Sequence, residues 1–499
     1  MAVVVDGSSL TLDQLARIAA SPGAGVSLDE AGLERVRRAR DRVLQAFGKG
    51  EQVYGLTTGL GSRATETLTA SEAADFSLKT LRGRAHAIGT PLSRTQVRAA
   101  MAVRLNTLMK GAAGADASVP EILCECLNRG LTPVVGSIGS IGAGDLCQGA
   151  VLGLALCGEG RMTDARGRTM DAAKALSAAG LAPLSPGPRD GLALANHSGF
   201  SAAAMALAVH GAGRLLGAVQ GAAAMTMDAF AASTTPLDAL VDDLHPQPGQ
   251  ARAAGDLRRL LAGSRIVDPG GARRLQDPLS IRNLPQVHGA AFAALDFAKE
   301  AACAEINSAS DNPVVDLAGD RIISCGAFHT PLLTVAAHAL SQALVQLSQA
   351  QLARMSKLLC ERFSGLPQYL AAPGLDSNGF APLMKVAESV VAELGHAAMP
   401  VPVWPSVNAD GVEDIQSNAP AAVKGLQGVV ELGWKLCAME MMVAGRAAEL
   451  RGDPTSAPLL EELHDRVRKV VEPAAAERPL GDAIDALSDR IAGGICEDL

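Results

Sequence analysis

Along most of the chain the apolar residues recur with the spacing of helices. The first clear series has the spacing of one face of a helix: Leu33, Val36, Val43, Leu44 and Phe47. The capping-box pattern Ser27-x-x-Glu30 precedes this series and Gly48 follows it, which predicts a helix beginning near Ser27 and ending at Gly48. Thr11-x-x-Gln14 predicts another helix start on the same grounds.

Two stretches keep helical spacing for longer than an ordinary helix. Leu332–Phe363 does so for about 30 residues, and Ala202–Met227 is nearly all small or apolar. The second stretch has glycines at four-residue intervals, a spacing that lets helix backbones approach closely: Gly213, Gly217 and Gly221. Helices that are apolar on most faces must be surrounded by other helices, some of them from other subunits. We therefore expect an all-α, oligomeric fold.

Signals for β-strands are few and short. Val3–Val5 and Arg321–Ser324 are the candidates, and neither implies a large sheet. We expect a mainly helical N-terminal domain over residues 1–200 that carries the catalytic loops. A bundle of long helices with the C-terminal helices should occupy residues 201–499, with an approximate boundary.

Composition excludes several classes of protein. Of the 499 residues, 48% are hydrophobic and 19% are charged, which excludes a disordered chain. A net charge of −8, with two Trp and two Tyr, argues against nucleic-acid binding. The nine cysteines form no C-x-x-C pair and the nine histidines show no ligand spacing, so we expect no metal.

Neither a secretory signal nor a membrane anchor is expected. The segment Met1–Asp6 lacks a basic region and ends in an acidic residue. The best candidate for a membrane span, Ala202–Met227, contains His210, Arg214 and Gln220. We expect a soluble, cytoplasmic protein.

Five short segments combine glycine turns with polar residues that a core would not select. They are VYGLTTGLG from Val53, LRGRAH from Leu81, GSIGSIGAGD from Gly136, GLALANH from Gly191 and QDPLSIR from Gln276. Downstream lie Asn312-Pro313, Phe328-His329 and Val412-Glu413-Asp414. A tyrosine among glycines, such as Tyr54, should lie on an irregular loop where its hydroxyl can act as a base.

Taken in order, these segments resemble the histidine and aromatic amino acid ammonia-lyase family over nearly the whole chain. YGLTTGLG is similar to the family's Y-G-x-N-T-G-F-G, GLALAN to G-L-A-L-x-N, QDPLSIR to Q-D-P-Y-S-L-R, SDNP to D-N-P, and VEDIQSNAPAA to Q-E-D-H-V-S-M-A-P-A-A. The resemblance implies a homotetramer of the fumarase/aspartase-like type, in which three subunits share each active site.

The chain departs from this family where the family builds its electrophile. Members make methylidene-imidazolone from Ala-Ser-Gly within G-S-V-G-A-S-G-D, and the serine loses water. Here the stretch from Gly139 reads GSIGAGD, so the serine is either missing or replaced by Ala143 within Gly142-Ala143-Gly144. Both alignments remove the methylidene carbon. Ser140 remains, but the branched Ile141 after it is poorly suited to cyclise, so we expect no prosthetic group or other cofactor.

Three further positions differ from the family pattern. Leu279 replaces the tyrosine that adjoins the electrophile, and Lys385 places a charge where the family is apolar. Arg84 stands where histidine ammonia-lyase has a histidine that contacts the imidazole, with His86 two residues further on.

A substrate whose nitrogen is already quaternary needs no electrophile, because trimethylammonium departs readily. Only a weakly acidic β-proton must then be removed by a positioned base. The branch of the family with these features, ergothionase, cleaves ergothioneine, the trimethyl betaine of 2-thiohistidine, to thiourocanate and trimethylamine. The resemblance thus implies a trimethylamine-eliminating lyase, with ergothioneine as the leading substrate and hercynine second.

The resemblance also implies roles for individual residues. Tyr54 is the base, Arg282 binds the substrate carboxylate, and Asn196 assists at the amino-acid end. Around the ring, Glu413 contacts the nitrogens and Phe328 forms an apolar wall. Arg84 and Lys385 face an electron-rich ring atom, and Gln276 orders its own loop. Each role has a simpler alternative. Tyr54 and Phe328 could serve only for packing, and Arg84 and Lys385 could be solvated cations on the surface. Helix N-termini near Asp145 would disfavour a cationic leaving group, so Asp145 or a nearby carboxylate must offset them.

Two other functions remain open. One is a conventional ammonia-lyase for histidine or an aromatic amino acid, whose electrophile forms from Ser140 or whose serine was removed by engineering. The other is a non-catalytic relative that binds a small amino acid or a partner protein. Tyr54 with Asn196, Arg282 and Glu413 argues against the second, because binding alone requires no base.

Overall fold

Most of the described chain is α-helical, which confirms the helical part of the predicted fold. The computed structural model describes residues 2–21, 23, 25–68, 70–372, 377–402, 407–452, 457–473 and 477–497. The α-helices are α1 Leu12–Ala20, α2 Glu30–Lys49, α3 Ala70–Arg82, α4 Arg94–Leu108, α5 Ser118–Asn128, α6 Leu146–Leu156, α7 Ala172–Ala178, α8 Asp190–Ala195, α9 Gly199–Phe230, α10 Ala239–Leu244, α11 Gln250–Leu260, α12 Leu279–Arg282, α13 Leu284–Ile306, α14 Pro331–Leu358, α15 Glu361–Ser364, α16 Ala381–Ala397, α17 Ala419–Arg451, α18 Pro458–Arg468 and α19 Gly481–Ala492.

Short strands form small separate sheets. They are β1 Val3–Val5, β2 Val26–Leu28, β3 Ile88–Pro91, β4 Thr132–Pro133, β5 Gly136–Ile138, β6 Arg161–Thr163, β7 Thr169–Asp171, β8 Val314–Asp316 and β9 Arg321–Ile323. β1 pairs with β2 in parallel, and the pairs β3–β5, β4–β6, β6–β7 and β8–β9 are antiparallel. Both predicted strands are confirmed, except that β9 ends one residue earlier. The other seven strands were not predicted.

The two predicted helix starts have different outcomes. Thr11 forms a capping box with Gln14, as its sequence pattern predicts. The prediction that α2 begins at Ser27 is wrong, because Ser27 lies in β2. Asp29 caps the helix instead, and its side chain accepts a hydrogen bond from the Gly32 N–H at 2.7 Å.

The predicted ends of two helices are also wrong. α2 continues past Gly48 to Lys49 and ends at Gly50, which adopts a φ of 68°. The helix predicted over Leu332–Phe363 stops at Leu358, and a separate turn, α15, follows. The Leu359 carbonyl accepts the Tyr369 N–H at 2.7 Å, so it is withdrawn from the helical hydrogen-bond series.

The chain divides into two compact units. Four of the five boundaries between them fall within the long helices α9, α13, α14 and α17, and the fifth follows α16. The first unit comprises Met1–His210, Lys299–Val335 and Val401–Lys424, and the second comprises Gly211–Ala298, Ala336–Pro400 and Gly425–Leu499.

In the first unit an apolar cluster packs α2 against the loop after it and against β8. Its buried members are Ala39, Val43, Ala46, Val53, Leu56 and Val315.

In the second unit, Gly213 and Gly221 of α9 lie against side chains, and the predicted close approach of helix backbones is not found at Gly213, Gly217 or Gly221. A Cβ on Gly213 would lie 3.6 Å from Leu295 Cδ2. A Cβ on Gly221 would lie 2.8 Å from Leu463 Cδ2, whereas a Cβ on Gly217 would meet nothing within 4 Å. The unit also contains a fully buried ion pair, in which Arg354 Nε lies 2.7 Å from Glu440 Oε1.

One stretch, Asp190–Phe230, is long and apolar enough to cross a membrane by length and composition alone. Within it, 61% of the most apolar window is buried inside the protein, as in a core helix of a soluble protein. The stretch is therefore weak support for a membrane span.

Candidate functional site

Tyr54 lies on an irregular loop between α2 and α3, as predicted. The Gly61 N–H donates to its hydroxyl oxygen at 3.0 Å. Gly55 has a φ of 65°, and a Cβ there would lie 2.4 Å from Leu192 Cδ2. Only glycine fits this contact without displacement, so the Tyr54 loop lies directly against α8.

Helix α8 ends at Asn196, whose side chain is buried. A Cβ on Gly144 would stand 2.5 Å from Asn196 Oδ1, so this amide lies against the loop that contains Ala143. Tyr54 and Asn196 are thus brought to the same helix, since α8 contacts the Tyr54 loop through Leu192.

Two buried arginines fix the position of α8. Arg104 Nη2 donates to the Ala193 carbonyl at 2.5 Å and lies 2.7 Å from Asp311 Oδ1, with both charged side chains fully buried. Arg189 has a φ of 78° and donates to the carbonyls of Ala113, Asn312 and Pro313. Burial lowers the pKa of Arg189 to about 10.

Hydrogen bonds from distant parts of the chain hold the Gly142–Gly144 loop. The Gly142 carbonyl accepts from Ser417 Oγ at 2.9 Å and from the N–H and Oγ1 of Thr330, each at 3.2 Å. The Gly144 N–H donates to the Phe328 carbonyl at 3.0 Å. Gly142 and Gly144 adopt φ values of 75° and 77°, which favour glycine.

These residues do not fit methylidene-imidazolone. Closing that ring would require the nitrogen of Gly144 to attack the carbonyl carbon of Gly142, yet both groups are hydrogen-bonded to other segments. Between them, Ala143 carries a methyl group and no hydroxyl that could be lost as water. Ser140 Oγ donates to Asp145 Oδ1 at 2.7 Å.

Asp145 follows this loop and is almost completely buried. Besides Ser140, it accepts hydrogen bonds from the N–H of Ser201 at 2.8 Å and from Ser201 Oγ at 2.7 Å. Burial raises the pKa of Asp145, and the hydrogen bonds oppose that rise.

His197, next to Asn196, has a structural role. The Gly199 N–H donates to His197 Nδ1 at 2.9 Å, so Nε2 carries the proton and donates to the Leu194 carbonyl at 3.1 Å. Burial lowers the pKa of His197 well below 6.5, which keeps the ring neutral.

The segment that contains Glu413 packs against the Tyr54 loop. The Glu413 N–H donates to the Asn408 carbonyl at 3.1 Å, which closes a turn around the 3₁₀-helix Ala409–Gly411. A Cβ on Gly61, the residue that donates to Tyr54, would lie 3.5 Å from Ala409 Cβ.

Phe328 is half-buried, and its carbonyl is hydrogen-bonded to the Ala143 loop as described. Arg84 follows the end of α3, and its Nη1 lies 3.5 Å from the Thr80 carbonyl. β3 follows Arg84 in the chain and pairs with β5, the strand that leads into the Ala143 loop. The first unit thus contains Tyr54, Arg84, Asn196, Phe328, Glu413 and Gly142–Gly144.

The two remaining predicted residues lie in the second unit. Arg282 ends α12, and its Nη1 donates to Gln276 Oε1 at 2.5 Å, the contact expected of a glutamine that orders this loop. Leu279, which replaces the family's tyrosine, is 59% exposed. Lys385 is exposed on α16.

The sequence interpretation missed the residues that hold the loop and α8 in place. Ser417 lies inside the VEDIQSNAPAA segment, and Thr330 lies directly after Phe328-His329. Asp311 lies within the SDNP motif, whereas Arg104 gave only the weak signal of a charge in apolar surroundings. Within the part of the chain that the structure describes, no three His, Cys, Asp or Glu side chains are placed to hold a metal ion.

Known proteins resemble this chain over its whole length. The model of the family described as aromatic amino acid lyase matches residues 10–469. Histidine ammonia-lyase from Geobacillus thermodenitrificans is 35% identical over 504 aligned residues, which cover 99% of each chain. That from Symbiobacterium thermophilum is 34% identical and covers 99% of this chain and 97% of the relative.

Two solved structures share the fold. The ergothioneine-degrading enzyme ergothionase from Treponema denticola, in complex with desmethyl-ergothioneine sulfonic acid, aligns with a TM-score of 0.94 and 25% identity over 100% of both chains. Histidine ammonia-lyase from Trypanosoma cruzi aligns with a TM-score of 0.92 and 27% identity, covering 99% of this chain and 94% of the other. These similarities agree with the family model, and the chain belongs to the aromatic amino acid lyase family of carbon–nitrogen lyases.

Proposed function

We propose that this protein eliminates trimethylamine from a histidine-derived betaine in the cytoplasm, with ergothioneine as its substrate. The observation that carries the proposal is the Gly142-Ala143-Gly144 loop. It has no serine from which the family's electrophile could form, and hydrogen bonds occupy the backbone groups that would close the ring. Similarity to a solved ergothionase supports this choice of substrate.

The reaction follows from the charge on the substrate nitrogen. Tyr54, as the phenolate, takes the β-proton, and the electrons of that C–H bond form the double bond between Cα and Cβ. The electrons of the C–N bond leave with nitrogen, so trimethylamine departs as a neutral molecule. Because the leaving nitrogen is already cationic, no covalent capture is needed.

The Tyr54 environment suits a base. The hydroxyl oxygen accepts a backbone N–H from Gly61, and this contact fixes the position of that oxygen. Asn196 assists at the amino-acid end of the substrate. Glu413 contacts the ring nitrogens, and Phe328 forms an apolar wall.

Cationic side chains complete the proposed site. Arg282 binds the substrate carboxylate in a bidentate contact, and Gln276 orients its guanidinium. Arg84 and Lys385 face the ring sulfur, which carries negative charge as a thiolate. We propose a homotetramer in which three subunits share each active site.

The second candidate function is that of a conventional histidine ammonia-lyase. It is favoured by the names of the relatives that are 34–35% identical to this chain. It requires an electrophile, whereas Ala143 supplies no hydroxyl for one.

Purified protein incubated separately with ergothioneine, hercynine and histidine distinguishes the two functions. We expect an ultraviolet rise from the conjugated acrylate together with trimethylamine from a betaine, with histidine inert. Ammonia from histidine would overturn the proposal. Tyr54→Phe should lower kcat by about 10²- to 10⁴-fold, the range for loss of a general base.

Tyr369→Phe is the matched control for that variant. It is the same substitution at the only other tyrosine, which is 43% exposed on a turn of the second unit. Equal turnover by the Tyr54 and Tyr369 variants would remove the role assigned to Tyr54.

A further inference from the structure

The Asp145 carboxylate lies at the N-terminal ends of two helices. It directly precedes α6, and the Ser201 N–H in the first turn of α9 donates to it at 2.8 Å. α9 has 32 residues and α6 has 11. Each helix N-terminus carries a partial positive charge, so both helices would make this region positive in the absence of a carboxylate.

The hydrogen bonds given to Asp145 come from neutral donors. They are the hydroxyl groups of Ser140 and Ser201 and the backbone of α9. Neutral donors stabilise a carboxylate without cancelling its charge. An ionised Asp145 therefore contributes negative charge to its surroundings beyond the amount that the helix ends offset.

A second carboxylate lies in the same region. Glu305 Oε1 accepts from Ser198 Oγ at 2.5 Å, and Ser198 directly precedes α9. Burial raises the pKa of Glu305, and the neighbouring Asp145 raises it further. Asp145, with three donors, is the better stabilised of the two as an anion.

Asp145 also contacts the loop that replaces the electrophile. Ser140 Oγ is within hydrogen-bond distance of both Asp145 Oδ1, at 2.7 Å, and the Gly144 carbonyl, at 3.2 Å. The carboxylate is thus buried directly behind the backbone of Ala143 and Gly144. We place the departing nitrogen of the proposed reaction against this backbone, which occupies the position of the family's electrophile.

We infer that the buried negative charge of Asp145 attracts a permanently cationic substrate nitrogen to this part of the site. This inference rests on the proposed function, because it places the quaternary ammonium group over Ala143 and Gly144. Two helix ends without Asp145 would repel that group. With Asp145, the cation is attracted in the ground state and released once it leaves as a neutral amine.

Binding of two isosteric ligands tests the charge directly and requires no turnover. Glycine betaine and 3,3-dimethylbutanoate share a carboxylate and a bulky trimethyl group, and only the first carries a cationic nitrogen. We expect the native protein to bind glycine betaine at least tenfold more tightly, roughly the effect of one charge several ångströms away at intermediate dielectric. Equal affinities for the two ligands would overturn the inference.

Three variants test whether Asp145 causes the preference for glycine betaine. Asp145→Asn keeps the side-chain shape, and its preference for glycine betaine over 3,3-dimethylbutanoate should be about tenfold smaller than in the native protein. Glu305→Gln should keep the native preference. Ser201→Ala, which removes a hydroxyl donor but no charge, should also keep it. A preference lost in Glu305→Gln and retained in Asp145→Asn would overturn the assignment.

The experiment remains informative if Asp145→Asn does not fold, because the ligand pair is compared first on the native protein. It also separates this inference from the proposed function. A strong preference for glycine betaine without turnover of any betaine would support the role of Asp145 and refute the proposed reaction. Turnover of ergothioneine with equal binding of the two ligands would support the proposed reaction and refute the role of Asp145.

Discussion

The buried ion pair between Arg104 and Asp311 gives a quantitative test of how the site is held. Arg104 Nη2 lies 2.7 Å from Asp311 Oδ1, and neither side chain is exposed. Replacing either partner alone leaves an uncompensated charge in the interior, at a cost of about 3–5 kcal/mol. Asp311→Leu and Arg104→Met should each lower the free energy of unfolding by that amount.

The double variant should be more stable than the sum of the two single effects predicts. It removes both charges of the pair, and its main remaining defect at this place is the Ala193 carbonyl, which loses its donor from Arg104. An unsatisfied buried carbonyl costs about 1–3 kcal/mol. The two single effects together come to about 6–10 kcal/mol, so the coupling energy should be several kcal/mol.

Denaturant unfolding measures these free energies. All variants are compared at one fixed protein concentration, because the proposed tetramer would make stability depend on concentration. The control pair is Arg321 and Asp316, whose side chains are 66% and 25% exposed. Its loss should cost less than about 1 kcal/mol. Strictly additive effects at Arg104 and Asp311, or a loss at Asp311 as small as at Asp316, would refute the reasoning.

Three further outcomes are expected. Ala143→Ser should keep its full mass and gain no absorbance from a dehydrated ring, because the neighbouring backbone groups stay hydrogen-bonded; mass spectrometry would detect the loss of water that contradicts this. Burial keeps the pKa of His197 well below 6.5, so the free energy of unfolding should fall as the pH drops below 6.5, by up to about 1.4 kcal/mol per pH unit. Urea titrations of His197→Gln at several pH values should show a dependence of the free energy of unfolding on pH that is smaller by this one-proton contribution. An unchanged dependence would show that His197 does not contribute. Gly55→Ala should lower kcat/KM by about tenfold or more, roughly the effect of an ångström-scale displacement, because its Cβ would meet Leu192. The control is Gly50→Ala, since Gly50 also has a positive φ but has open space around it. Equal activities of the two variants would show that the contact with Leu192 has no functional role.

The helical part of the fold could be predicted because apolar spacing is a local property. The boundaries of α2 could not, because Ser27 and Asp29 are both capping residues. The pairing of β1 with β2 decides between them by placing Ser27 in a strand. The short strands were missed for a similar reason. β3 exists because Ile88 pairs with Ile138, a partner that nothing near Ile88 indicates.

The candidate site was predicted from motifs, each of which is local in sequence. Tyr54 and Asn196 could be named in this way, and the structure brings their segments together through Leu192. The hydrogen bonds to Gly142 come from residues 188 and 275 positions away, Thr330 and Ser417. No spacing rule connects such distant residues, so the support of the loop was visible only in the folded chain.

The hydrogen bonds around Gly142 also bear on how the protein becomes active. Thr330 directly precedes α14 and Ser417 lies two residues before α17, so the loop takes its shape when these two helices assemble. A loop closed by a covalent ring must instead wait for a chemical maturation step after folding. In a refolding time course, activity should therefore return together with the assembled fold, without a separate maturation lag.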